Sequence, residues 1–349
     1  MLKQFIPFTQ VKNHPSIIVD SLYPKGLILA HWRGAVNPAG TADDTSAGIV
    51  LNALERQIPG LEAPYVSANH FDVDGFVGVW SVLNPEAASR NNAVLRQMAI
   101  IGDFRELDLS IPAADKALKL VCWINKVEKE KFYPPFGADE VEENEMEASV
   151  PKFNYFLAAF GEVLANPEAF RSDWETEYNQ ILADYQVIQG PETQVTTFPE
   201  IGLVQIRTPQ PVHYYALFSC TIDYDIVLSQ YQNDCYELEY KYTTWVDISS
   251  RPTLPRVPLK PLARILQNQE TSNHHWTAES VTDTGPILRL NGKDLPKKQR
   301  YANPTERPIY ASSISPEALS AQAVSYFQAR YTGVLPKQRW TWSEIKAFK

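Results

Sequence analysis

The segment His70-Phe71-Asp72-Val73-Asp74-Gly75 sets an imidazole and two carboxylates at two-residue spacing, directly behind the short apolar run Pro64-Tyr65-Val66-Ser67-Ala68. If the chain stays extended through Asp74, the side chains of residues 70, 72 and 74 project to one side. They can then share one or two divalent cations, since imidazole nitrogen and carboxylate oxygen are the donors such ions take. Gly75 then permits a sharp turn without a side-chain clash. A purely structural reading uses the same residues: Asp74 caps a helix, Asp72 is solvated, Gly75 makes a turn and His70 bonds locally.

Two more stretches carry suitable chemistry. Ala30-His31-Trp32-Arg33-Gly34 follows the apolar run Gly26–Ala30, and Asp103-Phe104-Arg105-Glu106 follows Met98-Ala99-Ile100-Ile101. Open α/β sheets bind ligands beyond the carboxyl ends of their strands. Parallel strands would therefore bring these stretches to the acidic segment, with His31 as an added ligand or general acid and Arg33 and Arg105 as phosphate clamps. Taken singly, each arginine is more often a surface ion pair than a clamp. Asp43 and Asp44 read as the start of a helix, where carboxylates complement the dipole.

The elements that must position these residues alternate. A helical pattern runs from about Asp44 to Arg56, capped by Thr41 or Asp43, between the strand at 26–30 and a strand at 64–68. A helix from Phe76 to Leu83 stops before Pro85, and Met98–Ile101 reads as a third strand. This order predicts an N-terminal parallel sheet with flanking helices. The acidic run from Asp139 to Glu147 marks a boundary, and two helical patterns follow, Phe153–Leu164 and Asp173–Tyr185. After Gly190-Pro191 the period becomes two, in 201–208, 213–221 and 235–247, which predicts an antiparallel sheet; Pro252, Pro255, Pro258 and Pro261 then mark an extended connection. The expected fold is thus α/β in residues 1–135, which carry the metal site, a helical connector or insert in 136–190, and an α+β domain in 191–349.

Bulk composition narrows the function. With 32 Lys and Arg against 41 Asp and Glu, the formal net charge is −9, and no basic run could track a phosphate backbone, so no long nucleic acid is expected as a partner. A small anionic or phosphorylated molecule stays compatible, because local positive charge or a metal ion overrides the net field inside a cleft. The three cysteines, Cys122, Cys220 and Cys235, form no C-x-x-C pair, and no stretch approaches the roughly 18 apolar residues that span a membrane. A reducing, cytoplasmic setting away from membranes is the expectation. Neither a G-x-S-x-G elbow, a Walker loop nor G-x-G-x-x-G is present.

His70-x-Asp72-x-Asp74-Gly75 behind an apolar strand resembles the first motif of the DHH phosphoesterases, two-metal and usually manganese-dependent hydrolases of phosphodiesters, pyrophosphates and polyphosphates. The likeness covers about 40 residues. It implies a second aspartate at the end of a neighbouring parallel strand, a place Asp103 would fill. By this resemblance His70 and Asp72 hold one ion, Asp74 holds the other and Asp103 bridges both, so that the cation pair acidifies a water and stabilises charge on a phosphoryl group. No Asp-His-His triplet occurs. That supports a rival reading, a non-catalytic binding or scaffold protein with a degenerate phosphoesterase-like core. A third is a different enzyme with one ion on His70, Asp72 and His31.

Overall fold

Ser16 and the β-branched run Ile17-Ile18-Val19 are buried at every position, as a strand covered on both faces must be. This stretch is β2, and it stands inside an all-parallel sheet of order β1-β4-β2-β3, with β1 Gln4–Phe5, β3 Leu27–Leu29 and β4 Tyr65–Ser67. In register, Ile17 faces Val66 on one side and Leu27 on the other. The carboxyl ends of β2, β3 and β4 therefore leave the same sheet edge side by side, leading to Asp20, His31 and His70.

The computed structural model describes residues 3–132 and 144–348. The chain divides into two compact units, Met1–Gln180 and Ile181–Lys349. In the first, helices α1 (Ser46–Arg56) and α2 (Val73–Leu83) pack on one another and on the sheet. Gly78 makes the approach of α2 to β2 close, since a Cβ there would lie 2.6 Å from Val19 Cγ1. Helices α3 (Pro85–Arg90), α4 (Asn92–Ala99), α5 (Ala114–Lys131) and α6 (Glu145–Ala165) complete the unit. Phe153, Phe156 and Phe160 form one buried stripe of α6 at helical spacing. Phe156 stacks on Phe71 at 4.9 Å and Phe160 meets Trp80 edge-on at 5.0 Å, which anchors the start of α2 from behind. Each such ring buried contributes roughly 1.5–3 kcal/mol.

Several expectations need correction. Met98–Ile101 is not a strand: it ends α4 and enters a π-helical turn, Ile100–Phe104. A four-residue apolar run fits a buried helix as well as a strand, and Leu95, Met98 and Ala99 are buried at helical spacing. The third core strand is β2 instead. The cap of α1 is Thr45, not Thr41 or Asp43: its side chain accepts the Gly48 N–H. Of the acidic run, residues 139–143 lie outside the described residues, while Asn144 caps α6 and Glu145 and Glu147 occupy its first turn.

Helix α7, Glu175–Gln189, spans the division between the units. The second unit holds strands β5 (Gln194–Phe198), β6 (Leu203–Thr208), β7 (Ile226–Tyr231), β8 (Cys235–Tyr240), β9 (Trp276–Ala278) and β10 (Ile287–Leu290), in the order β5-β6-β7-β8-β10-β9. The sheet is mixed rather than antiparallel throughout, because β6 and β7 run parallel. Residues 213–221 are not a strand but the short helix α8, Tyr214–Leu217, with a 3-10 turn behind it; Tyr215, Ala216, Leu217 and Phe218 are buried in succession, which strand alternation does not give. Helices α9 (Lys260–Gln267), α10 (Lys297–Arg300), α11 (Pro316–Tyr331) and α12 (Trp342–Ala347) follow the chain. Leu262, Leu266 and Phe327, from α9 and α11, share one core with Leu228, Tyr236, Leu238 and Leu288 of the sheet. The alternate positions of β8 are polar: Glu237 is wholly buried against the guanidinium groups of Arg289 and Arg307.

The protein is therefore mixed α/β, with a parallel sheet first, helices in the middle and a mixed six-stranded sheet last. Among the described residues no helix is long and apolar enough to cross a membrane.

Candidate metal centre

Asp20 is the first residue beyond β2 and adopts the left-handed conformation (φ 48), which short polar side chains tolerate better than others. Its N–H still bonds Leu29 O, at 3.1 Å, so the turn is tied to β3. His31 follows β3 by two residues. The Asn37 side chain grips both backbone groups of Ala30 (3.0 and 2.7 Å), holding the chain like an extra strand partner immediately before the histidine. His31 Nδ1 lies 2.6 Å from Asp44 O, a group that only accepts, so Nδ1 carries a proton and Nε2 faces the cluster. His70 is oriented in the same sense: Nδ1 lies 2.7 Å from Asn69 Oδ1, which also accepts from Ser21 Oγ.

The carboxylates come from helix starts and a π turn. Asp72 is the N-cap of α2, and its Oδ1 accepts the Gly75 N–H at 2.7 Å. Asp74, in the first turn of α2, is wholly buried and accepts N–H groups from the start of α1, Ser46 at Oδ2 and Ala47 at Oδ1, each 2.8 Å. Anions are favoured at a helix N-terminus in just this way. Asp103 is delivered by the turn after α4. A Cβ at Gly102 would meet Val73 Cβ at 2.4 Å, so a larger residue would push that turn away from α2.

These groups converge on Asp20. Its Oδ1 is 3.3 Å from His31 Nε2, and its Oδ2 is 3.7 Å from His70 Nε2. His31 Nε2 also lies 3.7 Å from Asp74 Oδ2 and 3.6 Å from Asp103 Oδ2, while His70 Nε2 is 3.0 Å from Asp72 Oδ2. Two ligand groups result, Asp20 with His31 and Asp74, and Asp20 with His70 and Asp72. The first is almost fully buried; in the second His70 and Asp72 keep 19% and 32% side-chain exposure, which opens one side of the centre to solvent.

The electrostatics are those of too many carboxylates in too little water. Burial alone raises the Asp103 carboxyl well above its usual range, and Asp74, Asp72 and Asp20 raise it further against the opposing pull of His31. Burial, then the charges of Asp20 and Asp72, push Asp74 up to about 7, although His31 and the Ala47 N–H resist. For Asp20 burial also acts upward, but His31, His70 and Ser46 outweigh it and the net shift is down. Burial would lower both imidazoles, yet the carboxylates dominate: His31 is raised well above its ordinary value, and His70 to about 10, chiefly by Asp72.

Of the residues expected from sequence, His31, His70, Asp72, Asp74 and Asp103 meet in one place. The route differs. Residues 70, 72 and 74 do not alternate along an extended strand, because β4 ends at Ser67, and Gly75 lies inside α2 rather than making a turn. The central position belongs to Asp20, not Asp103. Sequence pattern does not single out Asp20 because it does not single out β2; the signal it offers is an aspartate directly behind a buried β-branched run. Arg33 is buried and Arg105 is half-buried with φ 60, each two residues along the chain from a clustered side chain, but neither is part of the two ligand groups.

The structural reading is changed in its parts: Asp72, not Asp74, caps α2, and Asp74 accepts the N–H groups at the start of α1, yet these roles leave something unexplained. Asp20 Oδ2 and Asp103 Oδ2 are buried and have no hydrogen-bond donor. A buried carboxylate oxygen without a donor is costly. A cation between these groups would remove that cost, and mixed nitrogen and oxygen donors suit a divalent ion such as manganese, zinc or magnesium.

The family model DUF6687, described as a family of unknown function, matches residues 1–338 of the chain. No curated protein and no solved structure matches it.

Proposed function

We infer that the chain, which belongs to the DUF6687 family, is a metal-dependent, phosphoesterase-like hydrolase of a small phosphorylated or otherwise anionic molecule. The observation that carries this reading is Asp20, whose two carboxylate oxygens face two different histidine–carboxylate groups. One ion would be held by His70, Asp72 and Asp20, the other by His31, Asp74, Asp103 and the second oxygen of Asp20. Divalent cations held there would supply Lewis acidity and an acidified water for attack on a phosphoryl group. The protein's own part is to fix the donors: Asp44 O and Asn69 turn the imidazoles, the α1 N-terminus holds Asp74, and the π turn presents Asp103. Arg33 and Arg105, each two residues along the chain from a clustered side chain, are the candidate anion clamps of this reading, and His31 acts in it as a ligand rather than as a general acid.

The resemblance to the DHH phosphoesterases asks for an aspartate ending a parallel strand beside the motif strand. Asp20 meets that description, since β2 pairs in parallel with β4. In chain order β2 precedes the motif, so the likeness is one of spatial arrangement. Manganese is the ion this likeness favours, and a reducing, cytoplasmic setting suits three free thiols. The test is the metal content of protein purified without chelator, followed by manganese titration and hydrolysis of pyrophosphate and a phosphodiester, for wild type and Asp20→Asn. Metal uptake and turnover, both lost in the variant, are expected. Uptake without turnover on any phosphorylated compound would favour the binding or scaffold alternative, and no uptake at millimolar metal would overturn the reading.

A further inference from the structure

Ser46 touches the candidate centre at three points. Its N–H bonds Asp74 Oδ2 at 2.8 Å, its Oγ accepts the His31 N–H at 3.1 Å, and its Oγ lies 2.6 Å from Asp20 Oδ1. A serine hydroxyl has one hydrogen and two lone pairs. With a lone pair given to the His31 amide, the hydrogen is directed at the carboxylate, so Ser46 donates to Asp20.

Helix capping does not account for this hydroxyl. Thr45 already caps α1 through its own side chain, and Ser46 is the first helical residue behind it. The residue is wholly buried, so the hydroxyl is not held there by solvent either. Besides accepting the His31 N–H, it donates to the carboxylate whose two oxygens face different histidines.

We propose that Ser46 is a positioning residue which sets the rotation of the Asp20 carboxylate, keeping Oδ1 toward His31 and Oδ2 toward His70, and thereby makes the protein bind two ions as a bridged pair rather than one ion chelated by Asp20. The proposal rests on the two-ion reading. A carboxylate free to rotate can give both oxygens to one cation; a donor on Oδ1 fixes its plane. The left-handed backbone of Asp20 sets where the side chain starts, and the Ser46 hydroxyl sets how it ends. Partners of this outer kind typically change metal affinity 10–100-fold when removed.

The experiment is manganese titration of the full chain, with stoichiometry from calorimetry and bridging from the exchange-coupled Mn(II) pair signal in electron paramagnetic resonance. Wild type is expected to bind two ions and show the coupled signal. Ser46→Ala should keep one ion, weaken the second about 10–100-fold and lose the coupling, with an unchanged circular dichroism spectrum. Ser46→Thr, which retains the donor, should keep both. Thr45→Ala removes the helix cap instead, and should lower the melting temperature while leaving the coupling intact. If Ser46→Ala fails to fold, Ser46→Gly removes the same hydroxyl and replaces it in the series. A coupled pair of unchanged affinity in the hydroxyl-free variant overturns the role of Ser46, as does loss of coupling in Ser46→Thr, which would assign the effect to packing. Wild type that binds no manganese, or a single uncoupled ion, instead overturns the two-ion reading itself.

Discussion

Loading the centre with metal should expel protons, and the number can be worked out from the structure. At pH 7 His70, raised to about 10, is protonated, and against the effect of burial the carboxylates around His31 shift it the same way. Asp74, at about 7, is half protonated, and burial, with the charges of Asp74, Asp72 and Asp20, shifts Asp103 in the same direction. Cations require all four groups deprotonated, so filling both sites should release at least about one and a half protons, from His70 and Asp74, and up to about three and a half with His31 and Asp103 included. The overall association constant should then fall by roughly 1.5 to 3.5 orders of magnitude per unit of pH lowered from 7, or roughly 2–5 kcal/mol. Calorimetric titration of manganese into the apo protein, in two buffers of different ionisation enthalpy, measures the release directly. Release of less than about one proton, or an affinity flat from pH 6 to 8, would refute the assignment of these imidazoles and carboxylates as ligands. Apo stability follows with a defined sign. The folded state holds the Asp74 proton beyond the point where the unfolded chain loses it, so stability falls as pH rises from 3.8 to about 7. The His70 contribution is complete below 6.5 and is lost as pH rises through about 10. Urea denaturation across pH should show both declines in apo protein, and both should be suppressed by saturating metal.

Asp74→Ala would relieve repulsion, but it orphans the buried N–H groups of Ser46 and Ala47 at about 1–3 kcal/mol each, so apo stability should drop. Asp103→Asn, whose Oδ2 has no donor to lose, should leave apo stability equal or higher; equal losses in the two variants would contradict this division. Glu237→Gln leaves the buried cations Arg289 and Arg307 poorly compensated and should cost about 3–5 kcal/mol in denaturant, without changing manganese affinity. A shift in metal binding would disprove the independence of that ion cluster from the centre. Three thiols should react with Ellman's reagent after denaturation of an unreduced sample; in the native state Cys122, wholly buried with its thiol pushed up by burial, should stay silent.

Much of the centre was legible in the residues themselves, because His70, Asp72 and Asp74 sit close together in sequence and chemistry of that kind tolerates several backbone conformations. Their convergence needed no extended strand, only a helix whose cap and first turn point the same way. His31 was legible as the polar end of an apolar run. Asp20 was not, since β2 is four residues long, lacks the alternation of a half-buried strand and follows Pro15 without a recognisable turn pair. Asp103 reads as a strand end but lies in the π-helical turn that ends a helix: four apolar residues are equally suited to either, and only packing against α2 decides. In the C-terminal half, the aromatic-rich stretch at 213–218 imitates strand composition, but successive residues there are buried, and propensity yielded to tertiary context.

The π-helical turn at Ile100–Phe104 has an evolutionary corollary. Such a turn is an α-helix carrying one residue too many. Deleting one residue between Ile100 and Gly102 would restore the ordinary ladder and swing every later position by about 100° around the helix axis. Asp103 would then leave His31, while α4 and its buried face stayed as they are. Gain or loss of this carboxylate is thus one insertion or deletion away, with no substitution required. A homologue one residue shorter at this turn, yet still bearing the aspartate, would on the proposed metal reading offer a cation one ligand fewer.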